Sequence, residues 1–101
     1  MAAPGGTYLR AEGAAERLLA SAHAARWRAP ELSLVLARHA EALTTQGYDF
    51  LIRMRAQLIA VAACCRLGRR QDVLPEAVAL LRAAEAAGRH AITGPLRIEL
   101  A

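Results

Sequence analysis

The stretch from Phe50 to Gly88, FLIRMRAQLIAVAACCRLGRRQDVLPEAVALLRAAEAAG, decides the fold. In its first half Phe50, Met54, Leu58, Val61 and Cys65 recur at helical spacing and form one seam. Leu51, Ile59 and Ala62 carry apolar character further around the cylinder. A helix apolar over so much of its circumference is expected to be the most buried one in the chain. Asp49 suits its N-cap and Gly68 its stop. The second half opens a new helix near Asp72 or Leu74, with Pro75 tolerated in the first turn. Val78, Leu81, Ala84 and Ala87 form its inner face, and Gly88 closes it.

Upstream, Pro30 is a favourable first helical residue and Glu31 complements the positive end of the dipole. Leu32, Val35, Leu36, Ala40 and Leu43 form the apolar face of that helix, and Gly47 ends it. A further helix spans about Thr7 to Arg28. Tyr8, Ala11, Ala15, Leu18, Ala22 and Ala25 line one stripe of it, widened by Leu19. Gly13 costs this helix about 1 kcal/mol relative to alanine, so it marks either a close approach by a neighbour or the start of the firm helix just beyond it. The tail from Arg89 contains the breaker Gly94-Pro95 and reads as a frayed end or the first turn of another helix. Short links make sequential helices antiparallel. The expected architecture is all-α, with about four helices in two tandem antiparallel hairpins. Residues 1–6 are expected to be disordered, 7–93 to form the hairpin domain, and 94–101 to form the tail or the start of a further helix.

Composition agrees with this. Of 101 residues, 25 are alanine and four are aromatic, so the core must be built from Ala, Leu, Val and Ile. β-Formers are too scarce for a sandwich or barrel. All 13 basic residues are arginine, against nine acids, for a net charge of +4. The arginines come in pairs without a long run, the pattern of solvated helix faces. Arg53, Arg55 and Arg66 interrupt the best apolar window, which argues against a membrane span. The N-terminus lacks the charged and apolar regions of a secretory signal, so a cytoplasmic location is expected. Cys64 and Cys65 are adjacent on a helix and point about 100° apart, which favours reduced core thiols over a disulfide.

Residues 39–47, HAEALTTQG, have a counterpart in 81–88, LRAAEAAG. The two closing glycines lie 41 residues apart, within the period of helix-pair repeats. Residues 58–88 resemble a tetratricopeptide helix pair. Gly68 stands in the place of the inter-helix glycine, Ala77 in that of the small residue of the second helix, and Leu81 and Ala84 at its later core positions. The spacing from Gly68 to Ala77 is longer by about one turn than that repeat usually has. More narrowly, residues 31–93 resemble the helical repeat region of the large, maltose-regulator-like members of the LuxR family of bacterial transcription regulators. The resemblance implies a signal-sensing and oligomerisation arm. The chain contains neither that family's nucleotide-binding loop nor its DNA-binding helix-turn-helix.

No chemical site stands out. His23, His39 and His90 form no His-x-x-x-His pattern and Cys64-Cys65 no Cys-x-x-Cys, so no metal site is expected. His23 and His39 are expected to flank the apolar stripes, and His90 to sit in a loop. Arg66 and Arg69 lie near the thiols, but the end of a helix raises a thiol pKa, so a redox sensor is disfavoured. There is no phosphate-binding glycine loop, no facing carboxylate pair and no serine nucleophile motif. No cofactor and no enzyme activity are expected. The candidate partner-binding residues are Trp27, Tyr48, Arg53, Arg66, Arg69 and Arg70. Trp27, the single tryptophan, is either a lid on the core or a contact hot spot. The arginines with Tyr48 make the best available nucleic-acid surface, but the helix bearing Arg53 and Arg66 is too apolar to read bases. The sequence therefore predicts a module for protein–protein contact and self-association. A small-ligand sensor is the alternative, and an enzyme or nucleic-acid binder comes last.

Overall fold

A computed structural model describes residues 4–44 and 50–101, with side chains from residue 13 onward. Five helices follow one another: α1 (Pro4–Ala25), α2 (Pro30–Leu43), α3 (Phe50–Arg66), α4 (Arg70–Ala86) and α5 (His90–Leu100). Among the described residues there is no strand, and no helix is long and apolar enough to cross a membrane. Each helix packs against the next in sequence, and α3 also touches α1 and α5. Gly47, Asp49 and Tyr48 lie outside the described residues.

The turns explain the helix ends. Gly68 and Gly88 have φ of 74° and 67°. At the first, the Arg69 N–H donates to the Cys64 carbonyl and the Gly68 N–H to the Cys65 carbonyl. At the second, Arg89 N–H donates to Ala84 and Gly88 N–H to Glu85. Both are Schellman closures, which need a left-handed residue that glycine adopts without strain. The α1–α2 turn is fastened differently. The Arg26 N–H turns to the His23 carbonyl, and the buried Ser33 hydroxyl donates to the Ala22 carbonyl at 2.7 Å.

α3 is buried on two sides, as its apolar circumference predicts. Ile52, Ala56 and Ala60 meet Ala15, Leu19 and Ala22 of α1 and Ala37 and Ala40 of α2. Met54, Val61 and Cys64 meet Val73, Ala77, Leu80 and Ala84 of α4 and Ile92 and Leu96 of α5. One side is therefore a small-residue contact dominated by alanine, and the other is bulkier.

Several expected faces are rotated. α2 buries Ser33, Ala37 and Ala40, while Leu32 and Val35 stand out in solvent. Leu34 and Leu36 flank the contact half-buried. Size misled the reading: the facing side of α3 is alanine, so the closest approach comes where α2 is also small, and close approach maximises dispersion. α4 buries Ala84 as expected, but with Val73, Ala77 and Leu80 in place of Val78, Leu81 and Ala87; Val78 and Leu81 are half-buried and Ala87 is exposed. Phe50, placed on the α3 seam, is exposed instead.

The boundaries also differ. α1 starts at Pro4, ahead of Thr7. α4 starts at Arg70, so Pro75 lies in its second turn. The tail is a full helix, α5, running from His90 straight through Gly94-Pro95. His90 opens that helix where a loop was expected. Pro75 and Pro95 are each the sixth residue of their helix, past the first turn, so each removes one backbone hydrogen bond to the residue four before it without ending the helix.

A recurrence emerges from burial. From residue 31 to 44 the order of buried, half-buried and exposed positions is repeated without a change from 71 to 84. Ser33, Ala37, Ala40 and Thr44 thereby correspond to Val73, Ala77, Leu80 and Ala84, an offset of 40 residues. The glycine spacing of the sequence is one residue longer.

Candidate functional site

α3 forms the floor of a groove, with α1 on one side and α5 on the other. Its volume is about 620 Å³, larger than three other hollows on the surface of 230, 240 and 450 Å³. α3 contributes Leu51, Leu58 and Ile59, α1 contributes Leu19 and Ala20, and α5 contributes Ala91, Ile92 and Pro95. Two polar side chains complete it, His23 from α1 and Arg55 from α3. The lining carries no carboxylate, so it is apolar with a basic edge. It also carries no hydroxyl, thiol or amine. It is suited to hold an apolar segment bearing a negative group, and it offers no nucleophile–base pair.

The candidate residues named from the sequence fall in two places, with Tyr48 outside the described residues. Trp27, Arg66, Arg69 and Arg70 gather near the α3–α4 turn. Trp27 is 69% exposed, so it is no lid on the core. The Arg66 guanidinium lies over its ring, 4.1 Å from the centroid, and Arg26 stands at 6.0 Å. Arg66 also pairs with Glu99 of α5 at 3.6 Å. Arg69 pairs with Glu31 at 3.3 Å, and Arg70 donates to the Leu100 carbonyl. These three arginines therefore tie α2, α3, α4 and α5 together at one end of the molecule. Arg53 is elsewhere, about 20 Å along α3 from Arg66. It borders a hollow of about 240 Å³ with Phe50, Gln57 and Glu76.

A polar cluster bridges α2, α3 and α4. Arg38 donates to Glu41 at 2.9 Å and to Glu76 at 2.8 Å, and Gln57 donates to Glu41 at 3.0 Å. Burial works to lower the Arg38 pKa, but the hydrogen bonds it donates to Glu76 and Glu41, with their negative charge, outweigh it and hold the guanidinium charged. The arrangement acts as a clamp: both carboxylates already have cationic or amide partners.

Cys64 is buried and Cys65 half-buried, and neither is in a disulfide. Burial is the main reason both thiols are pushed above their ordinary pKa. Among the described residues, no three His, Cys, Asp or Glu side chains gather where they could hold a metal ion.

Neither the groove nor the Arg38 cluster was legible as a site in the sequence. Arg55 reads there as one of a solvated pair, and His23 as a flank to a stripe. The signal that could have found the groove is Arg55 sitting among Leu51, Leu58 and Ile59, a cation within an apolar stretch of α3. Comparison with family models, curated proteins and solved structures returns no match for this chain.

Proposed function

We propose that the chain is a non-enzymatic module for protein–protein contact and self-association, made of tandem antiparallel hairpins of the tetratricopeptide kind. The observation that carries this reading is the groove across α1, α3 and α5, with its apolar floor and basic edge. The 40-residue recurrence of burial supports the repeat reading, because helix-pair repeats have periods of about 34 to 47 residues. The resemblance of residues 31–93 to the sensor arm of large LuxR-type regulators supports a cytoplasmic regulatory role. Trp27 with Arg66 gives a second contact point, since exposed tryptophan and arginine dominate interface energies.

Selection of random peptides on the immobilised chain tests the groove. Enriched peptides are expected to combine apolar anchors with an acidic residue. Arg55→Glu should weaken them by about tenfold or more, the effect expected for losing one charge contact and gaining a repulsion. Its melting temperature should stay unchanged, since Arg55 is exposed. Equal binding by Arg55→Glu would overturn the assignment.

A second reading uses the same groove. Its volume falls in the range of small-molecule pockets, about 300 to 1,000 Å³. A metabolite that raises the melting temperature of the wild type and not of Arg55→Glu would favour a sensor.

A further inference from the structure

The recurrence that relates α2 to α4 extends to α3 and α5. With the same 40-residue offset, Ile52 and Ala56 of α3 match Ile92 and Leu96 of α5, and all four are buried against the preceding helices. The opposite face of α3 contains Leu51, Met54 and Leu58; α4 and α5 bury Met54 and leave Leu51 and Leu58 half-buried. The matching residues on α5 are Ala91, Gly94 and Ile98. All three are exposed, and Ile98 is 77% exposed, the highest value among the large apolar side chains of the described residues. α5 thus presents, in the same register, a face that elsewhere in this fold is partly covered by helices. On α1 the described exposed side chains include Glu16, Arg17 and Ser21, with Ala14 and Leu18 half-buried beside them.

We propose that the occupant of the α5 face is α5 of a second copy, in antiparallel two-fold pairing. This rests on the self-association reading above and assigns it a surface. The face is self-complementary, as a two-fold contact requires. Ile98 is a knob, and Ala91 and Gly94, seven and four residues before it on the same stripe, leave a hole. In an antiparallel pair crossing between Gly94 and Pro95, Ile98 of each copy faces Ala91 of the other. The same crossing sets Arg89 and His90, at the N-terminal end of α5, beside Glu99 and the last carbonyls of the partner helix. Cations are favourable at that end of a helix; Glu99 already pairs with Arg66 and the Leu100 carbonyl accepts from Arg70 there, so Arg89 joins as a further cation and adds only a small part of the contact. No bonding partner of Arg89 side chain competes with this among the described residues. One face of an 11-residue helix buries less than the roughly 1,200 Å² typical of tight complexes. The dimer is therefore weak, with a Kd of about 10 μM to 1 mM.

Sedimentation equilibrium of the full chain between micromolar and millimolar concentration tests this. The weight-average mass should climb from 10.8 kDa towards twice that value. Ile98→Asp should weaken association by about tenfold or more and Arg89→Glu by less, both with unchanged circular dichroism. Val35→Asp, at an exposed apolar site on α2, should leave it unchanged. A mass of 10.8 kDa throughout overturns the proposal. So does association lost in Val35→Asp and kept in Ile98→Asp, although that result would leave self-association itself standing. Ala91 belongs both to the groove wall and to this face, whereas Ile98 lies outside the groove, so Ile98→Asp separates the two readings: association should be lost while peptide capture by the groove is kept.

Discussion

Gly68 and Gly88 are fixed by φ and not by space. A Cβ at either would touch nothing within 4 Å, but the left-handed backbone disfavours any side chain with a Cβ. Gly94 and Gly13 are the opposite case. Both are helical with ordinary φ, a Cβ at Gly94 meets nothing, and one at Gly13 meets only the mobile end of Arg17 at 3.4 Å. Gly13 therefore marks no close approach among the described residues. Urea denaturation should show Gly68→Ala and Gly88→Ala each losing about 1–2 kcal/mol. Gly13→Ala and Gly94→Ala should each gain about 0.5–1 kcal/mol. The sequence shows four glycines of one kind here, and only the backbone angle separates the two that stop helices from the two that lie within them.

The two thiols make a second residue-scale claim. The folded chain keeps Cys64 and Cys65 protonated to higher pH than the unfolded chain does, chiefly because burial penalises the thiolate. Below the ordinary thiol range both states are protonated and nothing is lost. Above about pH 8.5 the unfolded thiols ionise first, so stability falls as pH rises towards the folded values. The urea midpoint should drop between pH 7 and pH 10, and the double variant Cys64→Ala, Cys65→Ala should drop less. An equal drop in both proteins would remove the thiols as its source.

At the scale of elements, α3 organises the molecule. Its existence, its length and its deep burial are legible in the sequence because apolar residues surround it. The orientation of α2 and α4 is not. Periodicity locates an apolar face by the size of its side chains, whereas the close contacts in this fold are made by the smallest ones. Ala37, Ala40, Ala56 and Ala60 are fully buried, while Leu32 is half in solvent. Ala60, wedged between Ala22 and Ala37, has no room for a longer side chain. Ala60→Leu should cost about 1–3 kcal/mol through overpacking, measured by chemical denaturation. Leu32→Gln should stay within about 0.5 kcal/mol of wild type. The reverse ranking would mean that the bulky stripe of α2 is the packed one. α5 was partly hidden for a related reason: Gly94-Pro95 reads as a breaker, yet proline at the sixth residue of a helix, followed by Leu96 to fill the core, is accommodated.

At the scale of the whole molecule, polar links run beside the apolar clusters and join the same helices at their rims. Arg38–Glu76 connects α2 to α4, Arg66–Glu99 connects α3 to α5, and Arg97–Glu85 connects α4 to α5. These pairs are partly exposed, so each adds little energy, but together they fix the relative rotation of neighbouring helices. They were invisible in the sequence because each joins residues on separate helices, and helix rotation was the part misread. The candidate site shares that limit. A groove defined by three helices becomes visible only once each helix has been turned to its observed face.

The 40-residue correspondence also makes length a controlled quantity in this chain. Adding or removing one residue in a helix turns everything beyond it by about 100° relative to what came before. A block copied from 31–70 and inserted in tandem would bring each inner face back into phase, with Ala37 and Ala77 once more at matching positions. A block two residues shorter would present α4 with its solvent side to the core. The chain can thus grow by whole units and not by fractions, and its span scales with the number of units while the shape of each junction stays the same.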